Sequence, residues 1–198
     1  MAKRLMDVLL AGLGLLVLLP LFAAIALWIK FDSKGGVFFR QERVGRHGRT
    51  FRIHKFRTML RDDAAVQRQL TVGADPRITR AGRWLRSSKL DELPQFIDVL
   101  RGDMSLVGPR PEVPRYVALY PADVRDKVLS LRPGITDLAS LAFRRESDLL
   151  ARSADPEREY IEVVMPQKLR YAVQYAEQAS VMTDLRIIGL TLKALLRS

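Results

Sequence analysis

From Val8 to Ile29 the chain reads VLLAGLGLLVLLPLFAAIALWI, 22 consecutive residues without a charge. As an α-helix this segment is about 33 Å long, enough to cross a hydrocarbon core of roughly 30 Å. Apolar residues occupy every helical angle, so a wholly buried core helix would need protein on all sides. A secretory signal peptide would account for Lys3, Arg4, Ala24 and Ala26, but its apolar region should be only about 7–15 residues. Membrane insertion is the reading favoured by length. Pro20 lies near the middle, lacks a backbone donor and clashes with the preceding turn, which predicts a bend.

The charges around this segment constrain it further. Lys3 and Arg4 precede it, and residues 30–61 carry ten basic and two acidic side chains. Positive flanks prefer the cytoplasm, so a straight span receives contradictory instructions from its two ends. A helix bent at Pro20, entering and leaving on one face, satisfies both flanks, provided the freed backbone groups find partners. The whole chain has 33 Lys and Arg against 22 Asp and Glu, a formal charge of +11. That excess points to a polyanionic partner: a phosphorylated substrate, an anionic bilayer surface or nucleic acid. Cysteine is absent, which excludes disulfides, cysteine-ligated zinc and thiol catalysis.

The remainder reads as a mainly α fold with a small β-hairpin. Phe51, Ile53 and Lys55 alternate with Arg52 and His54, the period of a half-exposed strand, and Gly45 and Gly48 supply its turn. Residues 59–76 read as helix followed by loop. Leu93, Phe96, Ile97 and Leu100 form a helical stripe closed by Gly102, and Val124, Val128 and Leu131 mark a helix stopped by Pro133-Gly134. Helices are also expected over about 157–178 and 183–197, the last with the pattern of a helix lying in a membrane interface. This divides the chain into a membrane segment, 1–30, and a membrane-associated body, 31–198.

Several catalytic signatures are missing: Walker A, G-x-S-x-G, H-E-x-x-H and D-x-D. His47 and His54 lie in a basic region without a nearby carboxylate cluster, so a surface or phosphate-contact role is expected for both. The chemistry concentrates in RSSKLDELPQFIDVLRGDMSLVGPRP, residues 86–111. If Asp91 is a helix N-cap, Glu92, Leu93 and Pro94 are the first helical positions, where Pro94 forfeits no bond; Ser88 is a competing cap. In both cases a carboxylate meets the positive end of the helix dipole, which should keep Asp91 ionised. Capping alone would explain it. An ionised carboxylate is also a competent nucleophile for phosphoryl transfer once anion repulsion is neutralised, by magnesium on a diphosphate and by arginines. Arg86 precedes the acidic pair, and two prolines stiffen the loop that carries Arg110, so a bidentate grip on phosphate loses little entropy.

SSKLDELPQFIDVLRGDMSLVGPRP resembles the signature of the monotopic phosphoglycosyl transferases, bacterial enzymes that start glycoconjugate assembly on polyprenol phosphate. The resemblance extends over nearly the whole chain, through Asp7, Pro20, QERVGRHGRTFRIHKFRTM, DPRITRAGRWLR, RPGIT and DLRIIGLTLKALLR. It implies a re-entrant helix-break-helix in one leaflet, with the catalytic body on the cytosolic face of the bacterial inner membrane. It implies Asp91 as nucleophile on the sugar-bearing phosphorus of a UDP-sugar, release of UMP, and attack on the aspartyl phosphosugar by polyprenol phosphate. Glu92 would assist, either at a magnesium ion shared with Asp91 or in handling the acceptor's proton. Arg86 and Arg110 would grip phosphates, and Lys55 and Arg57 would add positive charge.

Two departures stand out. A serine that often precedes the membrane proline is Leu19 here, and the residues after RPGIT are Asp137, Leu138, Ala139 and Ser140 in place of the family's usual glycine, tryptophan, alanine and glutamine. Donor specificity is therefore open, as are oligomeric state and the identity of the sugar. The alternative reading is a non-catalytic, membrane-anchored basic module binding anionic lipid or nucleic acid. It lacks a stacking motif for bases and leaves LDELPQ and GPRP without a purpose, so no nucleic acid partner is expected.

Overall fold

The computed structural model describes residues 1–60 and 75–196. Most of the helix-then-loop stretch expected over 59–76 lies outside the described residues. Among the described residues the architecture is mainly helical, with two small two-stranded sheets.

The apolar segment forms helix α1, Ala2–Asp32, which continues through Pro20. The proline removes one bond without ending the helix, since the turns on either side keep theirs. It is long and apolar enough to cross a membrane, with mean hydropathy 2.7. Yet α1 packs on the body at both ends. Asp7, Ala11, Ile25 and Ile29 are buried, while Leu5, Leu9, Leu13, Leu16, Val17 and Leu19 are exposed. Each fully buried isoleucine contributes roughly 1.5–3 kcal/mol of transfer free energy. The exposed leucines form an apolar face that needs a non-aqueous surrounding.

The predicted hairpin is present as β1 (Phe38–Val44) and β2 (Thr50–Phe56), antiparallel, with Phe38 opposite Phe56 and Val44 opposite Thr50. His47 and Gly48 take positive φ, 58° and 76°, to reverse the chain tightly. Beyond Arg52 the alternation fails: Ile53, His54 and Phe56 are all buried. Both faces of β2 are covered there, one by α1 through Phe22 and Phe56, the other by α3.

Helix α2 (Arg80–Ser87) is capped by Thr79, whose Oγ1 accepts from the Gly82 amide at 2.9 Å. A 3₁₀ turn over Leu90–Glu92 connects it to α3 (Gln95–Arg101), closed by Gly102 in the left-handed region. The apolar stripe predicted for α3 is only partly buried; Gln95, Asp98 and Val99 face inward. The stripe serves α1 instead, with Phe96 packed against Gly14. Strand β3 (Ser105–Val107) pairs in parallel with β4 (Gly134–Thr136), a pairing the hydrophobic pattern did not reveal.

Between and after these strands come α4 (Pro114–Val117), α5 (Ala122–Leu129), α6 (Leu138–Ala142), α7 (Glu146–Leu150) and α8 (Pro156–Glu159). A π-helical turn, Tyr160–Val164, leads into α9 (Met165–Gln178), and α10 (Val181–Leu196) follows. One core joins α4, α5, α7 and α9 around Tyr116, Tyr160 and Leu169. A second joins Ala11 of α1 to Ile53, Val99, Val107, Tyr175 and Ile187. A third seats Ile25 and Ile29 on Phe56 and Leu85. Helix α10 buries Asp184 and Ile187 and leaves Met182, Leu185, Leu192 and Leu196 exposed, the predicted amphipathic division.

Candidate functional site

Asp91 is not a helix cap. A cap would accept from the amide two or three positions on, but the Leu93 amide donates to the Leu90 carbonyl at 3.3 Å, and Pro94 has no amide hydrogen. Helix α3 begins only at Gln95, with Pro94 at the capping position. Ser88 serves the preceding helix instead, donating to the Trp84 and Leu85 carbonyls. The chain reverses through Lys89 in the left-handed conformation, φ 59°, so α2 and α3 are separate helices joined by a tight 3₁₀ turn. The Asp91 carboxylate is buried and makes no hydrogen bond among the described residues.

Burial raises the Asp91 pKa, and the neighbouring Glu92 carboxylate raises it further, against the pull of Lys55, Arg86 and Lys89. The helix dipole expected to favour its charge is absent, because no α-helix starts at that residue. Glu92 behaves oppositely. Burial works against its charge, but Arg110 and Lys55 outweigh that and hold it well below the usual carboxylate range. Lys55 Nζ donates to Glu92 Oε1 at 2.9 Å, and Arg110 donates through Nη1 to Oε2 at 3.0 Å and through Nη2 to Oε1. Burial lowers the Lys55 pKa, with Glu92 opposing.

Arg110 is carried by the loop that follows β3. Gly108 and Gly134 make this loop possible, since a Cβ on Gly134 would lie 2.1 Å from the Gly108 nitrogen and one on Gly108 2.4 Å from the Arg132 carbonyl oxygen. Only glycine at both positions lets the two backbones meet. The Gly134 amide donates to the Pro109 carbonyl at 3.0 Å. The Arg110 amide reaches Asp137 Oδ2 at 3.3 Å, and Asp137 Oδ1 accepts from the Ser140 amide at 2.6 Å, capping α6. The divergent residues after RPGIT thus touch the arginine loop directly.

Asp91, Glu92, Lys55, Arg86 and Arg110 line one cavity of about 1380 Å³, together with Asp137 and Ser140. The Arg86 guanidinium makes no hydrogen bond or ion pair among the described residues, so it is available to an anion. Arg57 borders the same cavity, but it spends its donors elsewhere: Nη1 on the Lys34 carbonyl at 2.6 Å, Nη2 on Ser33 and the Ile29 carbonyl. It ties down the C-terminal end of α1, where carbonyls lack partners.

His54 is neither a surface nor a phosphate contact. Its ring Nδ1 lies 2.5 Å from Asp98 Oδ1, and its amide donates to Asp98 Oδ2 at 2.8 Å. The brace fixes β2, and with it Lys55, against the helix that follows Glu92. Nothing local in the sequence reveals this pair; an aspartate inside an apolar run, Ile97-Asp98-Val99, was the one available signal. His47 is exposed in the hairpin turn. Among the described residues no group of three His, Asp or Glu side chains gathers to hold a metal unaided.

The model of the bacterial sugar transferase family matches residues 1–198. The chain belongs to that family. Among curated relatives, it is 38% identical over 96% of its length to the UDP-glucose:undecaprenyl-phosphate glucose-1-phosphate transferase of Escherichia coli K12. It is 39% identical over 98% to the enzyme of the same name from Caulobacter vibrioides, of which it covers 69%. A UDP-N-acetylgalactosamine-undecaprenyl-phosphate N-acetylgalactosaminephosphotransferase from Aeromonas hydrophila is 36% identical over 98%. The chain spans about two fifths of the length of the Escherichia coli and Aeromonas relatives. The resemblance in LDELPQ and GPRP is thereby one of family membership.

Proposed function

We infer that this bacterial sugar transferase moves a sugar 1-phosphate from a UDP-sugar to membrane polyprenol phosphate, through a covalent phosphosugar on Asp91. One observation carries the reading. A buried carboxylate without a partner stands beside a second carboxylate neutralised by Lys55 and Arg110, in a cavity that also holds the uncommitted Arg86. A structural carboxylate would be bonded; a nucleophile must be free.

In the first step an Asp91 oxygen attacks the sugar-bearing phosphorus. The bond from that phosphorus to the bridging diphosphate oxygen breaks, and UMP leaves with its electron pair. In the second step a phosphate oxygen of the polyprenol phosphate attacks the same phosphorus, breaking the acyl phosphate bond and returning Asp91 as carboxylate. Arg86 and Arg110 grip the phosphoryl oxygens as charge builds on them, and Lys55 adds a point charge. Glu92 holds Arg110 and Lys55 in place. Magnesium fits here because it needs only one or two carboxylates when substrate phosphates complete its shell. Asp91 would hold it, since the Glu92 oxygens already face two cations. When bound, the ion neutralises diphosphate charge.

We place the body on the cytosolic face of the inner membrane, with α1 re-entrant at Pro20. What supports this is the attachment of both helix ends to one body: Asp7 bonds Ser105 and the Leu106 amide, while Asp32 bonds the Ala81 amide. A straight span would separate those ends by roughly 30 Å of hydrocarbon. The alternative of a basic binding module is not favoured, because it gives no purpose to the unbonded Asp91 and does not fit the activities named for the relatives.

The test is a panel of UDP-sugars, UDP-glucose first, with magnesium and undecaprenyl phosphate, read as UMP. Without acceptor, one donor should give at most about one UMP per chain and a phosphosugar on the peptide containing Asp91. UMP that appears only when both substrates are present would replace the covalent step with direct transfer. No UMP with any donor would end the reading.

A further inference from the structure

The carbonyl of Val107, three residues before Arg110, is the meeting point of a polar cluster outside the cavity. Lys3 Nζ of α1 donates to it at 3.0 Å, and the hydroxyls of Tyr175 on α9 and of Ser105 lie 3.2 and 3.0 Å away, each giving its single proton to a carboxylate, Asp184 or Asp7. Behind them stands Asp184 of α10, wholly buried. Its two oxygens take Lys3 Nζ at 2.5 Å and Tyr175 Oη at 2.6 Å. Lys3 of α1 thus bridges this backbone oxygen to Asp184 of α10, which Tyr175 of α9 also bonds. Asp7 extends the grip by bonding Ser105 and the Leu106 amide.

We propose that Lys3, Tyr175 and Asp184 form a latch that positions the Arg110 loop, so that seating α1 and α10 on the body sets the geometry of phosphate transfer. The path from latch to site is short and stiff. Gly108 donates to the Thr136 carbonyl, Gly134 to that of Pro109, and prolines flank Arg110. Gly108, the flexible residue between Val107 and Pro109, is held by its bond to Thr136 and by close packing on Gly134, so a shift at Val107 is passed on toward Arg110. These are positioning residues, because none of them lines the cavity. The proposal rests on Arg110 being a phosphate-holding residue.

Two measurements on the full chain in detergent or nanodiscs test it: steady-state UMP release, and hydrogen exchange of the amides of 106–110 without substrate. Lys3→Met and Tyr175→Phe should each lower kcat about tenfold while KM for the donor stays within about twofold, since misplacing a transition-state contact spares ground-state binding. Exchange at 106–110 should quicken about tenfold, with protection of the β1–β2 hairpin unchanged. Lys3→Arg, which keeps the positive charge and its donors, should restore both readouts at least in part. Lys127→Met, which removes an exposed pair with Glu177, should alter neither. Wild-type kcat in Lys3→Met, unchanged exchange at 106–110, or protection lost equally in the hairpin would each overturn the latch. If the wild-type chain releases no UMP, the transfer reading fails, and the exchange result alone decides whether the latch holds the loop.

Discussion

Arg110 clasps Glu92 with both terminal guanidinium nitrogens, one to each carboxylate oxygen, although the two residues lie on different elements. The pair makes Glu92 a holder of cations, and it leaves Asp91 as the sole uncommitted carboxylate of the dyad. Functional consequences follow from this division of labour.

Asp91→Asn should abolish both UMP release and the covalent adduct, since an amide is a poor nucleophile. The same change should stabilise the fold at neutral pH. The Asp91 pKa is raised in the folded state, chiefly by burial, so its ionisation opposes folding. That stabilising difference should be full above the folded pKa and vanish as pH falls below the unfolded value near 3.9. Thermal melts of both proteins from about pH 3 to about pH 8 would show it. A variant no more stable than wild type at pH 7 contradicts the assigned environment, and near-normal turnover would place the nucleophile elsewhere.

Arg110→Lys should reduce turnover by about tenfold or more, a transition-state loss of about 1.4 kcal/mol. One ammonium cannot reproduce a planar grip on both Glu92 oxygens while also reaching phosphate. Steady-state UMP release measures this. Activity within about twofold of wild type would return Arg110 to an ordinary loop residue.

Glu92→Gln should destabilise the chain by about 1–3 kcal/mol, because Lys55 and Arg110 lose the charge that compensates them. Glu92 also holds the Lys55 pKa up against burial. Its removal should therefore move the alkaline limb of the pH–rate profile to lower pH. An unmoved limb would mean that Lys55 ionisation does not govern the rate.

The chain has no cysteine, so single cysteines at Ala2 and Lys34 can be labelled cleanly. With both ends of α1 held on one body, they should react equally in inside-out vesicles and be equally protected in intact cells. Opposite accessibility would establish a straight span and remove the re-entrant proposal.

The sequence by itself determined much of this protein. An uncharged run of 22 residues is long enough for a membrane-seeking helix, and basic flanks restrict how such a helix would sit. The glycines of the hairpin, the amphipathic pattern of α10 and the LDELPQ and GPRP segments are local statements, legible because backbone torsions and helical periodicity are local. What the sequence could not decide is which charges meet. By residue type Asp91 and Glu92 are neighbouring carboxylates that only the resemblance tells apart, and the approach of Lys55 from β2 and Arg110 from the β3 loop gives them different surroundings. Arg57 read as positive charge near the site, and the fold in addition ties its guanidinium to carbonyls at the end of α1. His54 read as surface until α3 covered its strand with Asp98. Burial and ion pairing depend on residues far apart in the chain, so their outcome is fixed only when α1, the hairpin and α3 pack together.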